Sequence, residues 1–241
     1  MTRVRIAVLA SGGGSNLQAI LDHLDRRGDA RPADVVLVAS DRAASGALQR
    51  AHTRDIPTAL VPTLAHPDAL PLEELLAAHG IDLVVLAGFL RLVPPEVVRR
   101  YQGRMLNVHP ALLPAFGGPG MYGLRVHEAV LASGACVSGV TVHLVNDEFD
   151  RGTILVQWPV PVRAGDDARA LAARVLRVEH LLYPRVVEAV ASGALRVDAR
   201  DAATHRGLRF PAEAGARTVS FSLHTLEDVC LANEIDRALG R

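Results

Sequence analysis

The stretch V-R-I-A-V-L-A-S-G-G-G-S-N-L-Q-A-I-L, residues 4–21, changes its hydrophobic period at the glycines, and that change decides the fold. Residues 4–10 form a short apolar run rich in β-branched side chains, as in a strand buried on both faces. From Ser15 the apolar positions Leu17, Ile20, Leu21 and Leu24 follow the helical period. The order is strand, glycine loop, helix. Glycines in such a turn let backbone N–H groups approach an anion, and the helix N-terminus adds about half a positive charge with unpaired donors. A phosphate cradle and a plain glycine turn with Ser15 as N-cap both fit this stretch alone. Gly12 and Gly14 also match the first two glycines of a dinucleotide fingerprint, although Leu17 stands at the third, and Asp41 follows the next apolar run. A nicotinamide oxidoreductase is therefore open at this point.

Outward from there the two periods alternate. Strands are expected over 35–39, 58–61 and 83–87, and helices over 43–54, 70–78 and 94–100. The run D-L-V-V-L-A-G-F-L at 82–90 is the most hydrophobic and should lie centrally. Alternation of this kind makes an α/β protein with a parallel, doubly wound sheet.

The polar residues of interest sit in R-M-L-N-V-H-P-A-L-L-P, residues 104–114. Asn107 and His109 are two apart, so a strand puts both on one face, and Pro110 ends it with His109 at the carboxyl edge. Open α/β sheets bind ligands at that edge. A glycine-rich loop follows at 115–123, A-F-G-G-P-G-M-Y-G, long enough to be functional, before a helix over 126–132. Residues 139–145 then alternate, with Val140, Val142 and Leu144 on one face and Thr141, His143 and Val145 on the other. N-D-E-F-D-R-G at 146–152 and a strand over 154–162 complete a hairpin with an acidic tip. His143, Asp147 and Asp150 match no recognised ligand pattern, so no metal is expected. Asp166 or Asp167 should cap a helix over 168–183, whose stripe is Leu171, Val175, Val178 and Leu182 with Glu179 beside it. Pro184 should break or restart that helix.

The core domain is expected to span 1–197, leaving 198–241 as an extension of unknown role. In that extension Val219, Phe221 and Leu223 alternate, and Thr225 with Asp228 resembles a capping box before a helix through Leu239.

Charge excludes several classes. Among 241 residues, 26 Lys+Arg balance 26 Asp+Glu, which gives no electrostatic case for nucleic acid or an anionic membrane. Cys136 and Cys230 lie far apart, outside metal-ligand spacing, which favours a reduced, cytoplasmic setting. The apolar run after Arg3 and Arg5 is too short for a signal peptide. No run approaches the length of a membrane span.

Five separated motifs then agree in order: G-G-G-S-N at 12–16, L-A-G-F-L-R at 86–91, L-N-V-H-P-A-L-L-P at 106–114, Val142-His143 with the following D-E-F-D-R-G, and E-H-L-L-Y-P at 179–184. Together they resemble the phosphoribosylglycinamide formyltransferases over the chain up to about Val197. The resemblance implies a Rossmann-like, mostly parallel twisted sheet with helices on both faces. It also implies transfer of a formyl group from 10-formyltetrahydrofolate to the amine of glycinamide ribonucleotide, in de novo purine biosynthesis. It assigns catalysis to Asn107, His109 and Asp150, and the ribonucleotide to Gly13, Gly14, Ser15, Asn16 and Glu179. The folate pocket takes Leu90, Arg91, Leu92, Val145 and Asp147. His143 falls near the active centre, and in the long loop region only His127 is clearly retained. A homodimer is among the partners expected.

The chemistry fits. An amine attacking a formyl carbon makes a tetrahedral oxyanion, which donors from Asn107 and a protonated His109 would stabilise. A nearby Asp150 would favour the imidazolium, raising its pKa above about 6.5. Methionyl-tRNA formyltransferase and formyltetrahydrofolate hydrolase share Asn-x-His with a distal Asp. The first needs a tRNA-binding extension that neutral charge argues against, and the second has no need of a phosphate loop. The nicotinamide reading rests on Gly12, Gly14 and Asp41 alone. A non-catalytic nucleotide-binding module is the remaining alternative.

Overall fold

The computed structural model of the protein describes residues 2–64, 66–195 and 226–240. The opening run forms β1 (Val4–Leu9), and the periodic stretch after the glycines forms α1 (Ser15–Arg27). The chain continues through β2 (Ala33–Ser40), α2 (Gly46–His52), β3 (Thr58–Leu60), α3 (Leu72–Ala78), β4 (Leu83–Leu86) and α4 (Pro95–Arg100). β5 (Met105–His109), α5 (Leu124–Ala132), β6 (Val137–Leu144), β7 (Ile154–Pro161), α6 (Ala168–Ala191) and α7 (Leu226–Leu239) follow. All seven strands lie in one sheet, ordered β3-β2-β1-β4-β5-β6-β7, with β4 at the centre as its hydrophobicity predicts. The first five strands pair parallel; β6 runs antiparallel to β5, and β7 antiparallel to β6.

Strand alternation sorts the apolar residues into two cores. Ile6 and Val8 of β1, Leu83 and Val85 of β4, and Leu106 and Val108 of β5 face α1, α2, α5 and α6. Ala7, Leu9, Val84, Leu86 and Met105 face α3 and α4 on the other side. Asn107 and His109 share the face of Met105. Both border the cavity that becomes the site.

α6 departs from expectation because it runs without a break through Pro184. An internal proline costs a helix about 3 kcal/mol, yet Leu182, Tyr183, Val186 and Val187 around it are fully buried. The Tyr183 hydroxyl also donates to the Leu86 carbonyl at 2.8 Å. Burial of four side chains on one face outweighs the local penalty.

At the start of α6, Asp167 is the cap, accepting from the Ala170 N–H at 2.7 Å. Asp166 instead pairs with Arg174 through contacts of 2.6 and 2.7 Å, with both side chains 6% exposed. The guanidinium holds the carboxyl at about 2, against 3.8 ordinarily. Its contribution is complete above pH 4 and is lost as pH falls toward 2. Asp166→Asn should therefore cost about 2 kcal/mol at neutral pH and flatten the acid limb of a stability-against-pH curve measured by urea unfolding.

α7 lies against α6. Ile235 and Leu239 are buried in the larger core, Arg185 Nη2 contacts Glu234 Oε2 at 2.7 Å, and the Arg163 guanidinium donates to the Leu239 carbonyl. The alternation at Val219 to Leu223 and the Thr225 cap fall outside the described residues. Ile235→Ala should lower unfolding stability by about 2–5 kcal/mol. An unchanged urea midpoint would mean that the helix contributes nothing to the core.

Candidate active site

The β5–β6 pairing places Asn107 opposite His143 and His109 opposite Thr141. His143 Nδ1 lies 2.7 Å from the Leu144 carbonyl, which only accepts, so Nδ1 carries the ring proton and Nε2 accepts from Asn107 Nδ2 at 3.0 Å. The other Nδ2 hydrogen faces Asp150 Oδ1 at 3.5 Å. Asp150 stands on the 146–151 loop in a left-handed conformation, φ +56. Its Oδ2 accepts from the Gly118 N–H at 2.9 Å and lies 3.5 Å from His109 Nδ1. The three residues read as catalytic thus meet at one point.

Their electrostatics reverse one expectation. His109 is 3% exposed, and burial lowers its pKa below the ordinary 6.5 despite the opposing pull of Asp150 and of the Phe116 carbonyl. Burial thus disfavours the imidazolium that Asp150 was expected to hold. For Asp150, burial acts upward, yet the carboxyl lies below its ordinary value: the Gly118 N–H donates to Oδ2 at 2.9 Å, and the two imidazoles, which turn lone pairs toward it, add to this only when protonated. His127, also buried, is pushed down to about 4 by desolvation and by the nearby His109.

A cavity of about 600 Å³ opens over this cluster. Leu90, Arg91, Leu92 and Val145 line it, together with Asn16 and Glu179. The lip is fixed to the end of β1, since the Leu90 N–H donates to Ser11 Oγ at 3.0 Å, and Arg91 Nη1 donates to the Pro62 carbonyl. Asp147 is exposed and lies outside the lining, while its neighbours Asn146 and Glu148 line the cavity.

Gly13, Gly14 and Ser15 stand beyond the lining, next to Asn16. The Gly12 carbonyl accepts from Ser45 Oγ at 2.9 Å and the Gly13 carbonyl from Arg50 Nε at 2.8 Å, so the loop's oxygens are taken up by α2. Gly14 has φ +73, and a Cβ there would sit 2.7 Å from Ala47 Cα. Asn16 Nδ2 donates to Glu179 Oε2 at 2.6 Å, while its Oδ1 is buried with no partner among the described residues. Burial raises the pKa of Glu179, and the Asn16 bond offsets this only in part.

Sequence reasoning missed Met121 and Tyr122 of the long loop, and Arg169 and Leu176 of α6, all in the lining. Stepping back from Glu179 at helical spacing reaches Leu176, Ala172 and Arg169, so the α6 wall was readable. Nothing in a glycine loop marks which side chains turn inward. Among the described residues, no group of His, Cys, Asp and Glu is arranged to hold a metal ion, and no helix is long and apolar enough to cross a membrane.

The formyl transferase family profile matches residues 4–187. The chain is 44% identical over 192 residues to a chloroplastic phosphoribosylglycinamide formyltransferase of Vigna unguiculata, covering 78% of this chain and 61% of the relative. It is 46% identical to the Arabidopsis thaliana counterpart, covering 78% of this chain and 65% of that one. It therefore spans less than two thirds of these plant relatives. The crystal structure of glycinamide ribonucleotide transformylase 1 from Symbiobacterium toebii superposes with a TM-score of 0.72 at 40% identity, covering 81% of this chain and 91% of that one. A formyltetrahydrofolate deformylase from Pseudomonas syringae is 25% identical with a TM-score of 0.71. With the profile spanning its whole sheet and the Asn107, His109 and Asp150 cluster, the chain belongs to the formyl transferase family.

Proposed function

We propose that the protein transfers a formyl group from 10-formyltetrahydrofolate to the primary amine of glycinamide ribonucleotide. The observation that carries this reading is one cavity joining Asn107, His109 and Asp150 to Asn16 and Glu179 beside the glycine loop. The apolar wall of Leu90, Leu92 and Val145 suits a flat heterocycle, and the Gly13, Gly14 and Ser15 loop at the start of α1 suits a phosphate. Glu179, bridged to Asn16, is placed to accept from the ribonucleotide. In this reading Asn107 donates to the oxyanion, and neutral His109 beside Asp150 moves the amine proton to the departing folate nitrogen. Nucleic acid and membrane play no part, and the setting is cytoplasmic. The domain proper ends near 197, with the segment from 198 acting as a support through α7; pairing into a homodimer belongs to the same reading.

The decisive assay incubates the full chain with 10-formyltetrahydrofolate, with and without glycinamide ribonucleotide. Consumption of the donor only when the amine is present supports the transferase. Equal consumption without it would make the chain a hydrolase, the activity named for the Pseudomonas relative. A bound nicotinamide, seen by absorbance, would count for the oxidoreductase reading.

A Gly14→Val protein tests the phosphate end. The valine has to displace Ala47 and adopt a left-handed backbone, so KM for the ribonucleotide should rise by about tenfold or more while folate affinity stays nearly intact. Equal loss of both would count against the assignment.

A further inference from the structure

The loop at 115–123 touches the reacting groups with its backbone. His109 Nε2 lies 2.8 Å from the Phe116 carbonyl oxygen. A carbonyl only accepts, so Nε2 carries a proton and donates it. Nδ1 is then a lone pair on the neutral ring, facing Asp150 Oδ2 at 3.5 Å. Two residues after Phe116, the Gly118 N–H holds that same oxygen at 2.9 Å. One three-residue segment therefore grips both members of the pair.

Its conformation is tightly specified. Phe116 sits at φ +56, a setting that a non-glycine residue keeps only where its surroundings hold it. A Cβ on Gly117 would collide with Leu113 Cδ2 and come 3.1 Å from Asp150 Cβ. The loop's root is pinned by Thr141, whose hydroxyl donates to the Ala111 carbonyl at 2.6 Å and accepts from the Leu113 N–H at 3.0 Å. His109, Asp150 and Gly118 border the cavity and Phe116 does not.

We infer that the Phe116 carbonyl and the Gly118 N–H form a backbone clamp that fixes His109 in its Nε2–H form, so that Nδ1, beside Asp150, is the atom that moves the proton. This rests on the formyl-transfer reading. As the amine nitrogen bonds to the formyl carbon, Nδ1 takes the proton that the amine loses. As the bond from that carbon to the folate nitrogen breaks, its electron pair stays on the folate nitrogen and binds the proton released by Nδ1. His109 ends neutral, with Nε2–H untouched throughout. Phe116, Gly117 and Gly118 are positioning residues.

The first test reads the imidazole ¹⁵N resonances of the free, full-length protein, with His109 assigned by their loss in His109→Gln. Above the titration of His109, the Nε2–H tautomer is expected; an Nδ1–H tautomer would overturn the clamp. Release of Nε2 from the carbonyl when both substrates bind would also overturn it, since Phe116 would then merely stand in for a substrate oxygen. In Gly117→Ala, kcat should fall about 10–100-fold with both KM values within about threefold, and the tautomers should mix. Parental kcat with an unmixed tautomer in that variant would remove the clamp from the mechanism. Absence of formyl transfer by the unaltered protein would strike the functional reading, while the tautomer stands or falls by its own spectrum.

Discussion

Asp150→Asn is expected to lower kcat by about 10²–10⁴, the cost of removing a positioned acid/base group, with much smaller changes in either KM. In the proposed mechanism Asp150 acts through His109, 3.5 Å away, whose pKa it raises against the larger lowering effect of burial. Removing the carboxylate should therefore lower the His109 pKa further, as followed by NMR titration. With neutral His109 as the working form of the proposed mechanism, the acid limb of kcat/KM is expected below the ordinary 6.5 and should move to still lower pH in the variant. His109→Asn should cost a comparable factor, and the double variant little more than either alone, because the two act as one unit. Near-normal turnover in Asp150→Asn with an unmoved His109 pKa would mean that the pair does not operate.

Asn107→Leu should reduce kcat by about 10²–10³, the loss of one preorganised oxyanion donor. One Nδ2 hydrogen is committed to His143 at 3.0 Å, and the other has only a long 3.5 Å contact with Asp150. A contact of that length is weak enough to yield to a developing negative oxygen. Leucine keeps the size of the side chain, so KM for the amine should hardly change. If KM rose with kcat intact, Asn107 would serve ground-state binding and the oxyanion donor would have to be sought elsewhere.

The local parts of this molecule were legible in its sequence. β5 ends where Pro110 predicts, and α1 begins at the Ser15 period change. What was not legible depended on competition between distant parts. The helix break expected at Pro184 fails because Leu182, Tyr183, Val186 and Val187 are buried by strands far away in sequence. The raised His109 pKa was argued from its partner alone, but burial is the larger effect and appears only once the 115–123 loop has covered the ring. Asp147 and Asp150 are equivalent in composition, and the backbone of one turn sends them in opposite directions. The Phe116 and Gly118 contacts are made by main chain, which side-chain identity does not announce.

The Asn16–Glu179 bond joins residues 163 apart, and His23 reaches Glu188 across 165 at 2.6 Å. A chain emerging from the ribosome presents its glycine loop first and the helix that completes it almost last. Until the residues of α6 leave the exit tunnel, the first strands lack the carboxylate, the far wall of the cavity and the Tyr183 anchor for the Leu86 carbonyl. Synthesis stalled anywhere before residue 168 therefore yields a nascent chain whose cavity lacks its α6 wall and leaves the apolar flank of the sheet uncovered. Assembly is gated by the slow closure of contacts that are remote in sequence, so competence arrives in a single late step.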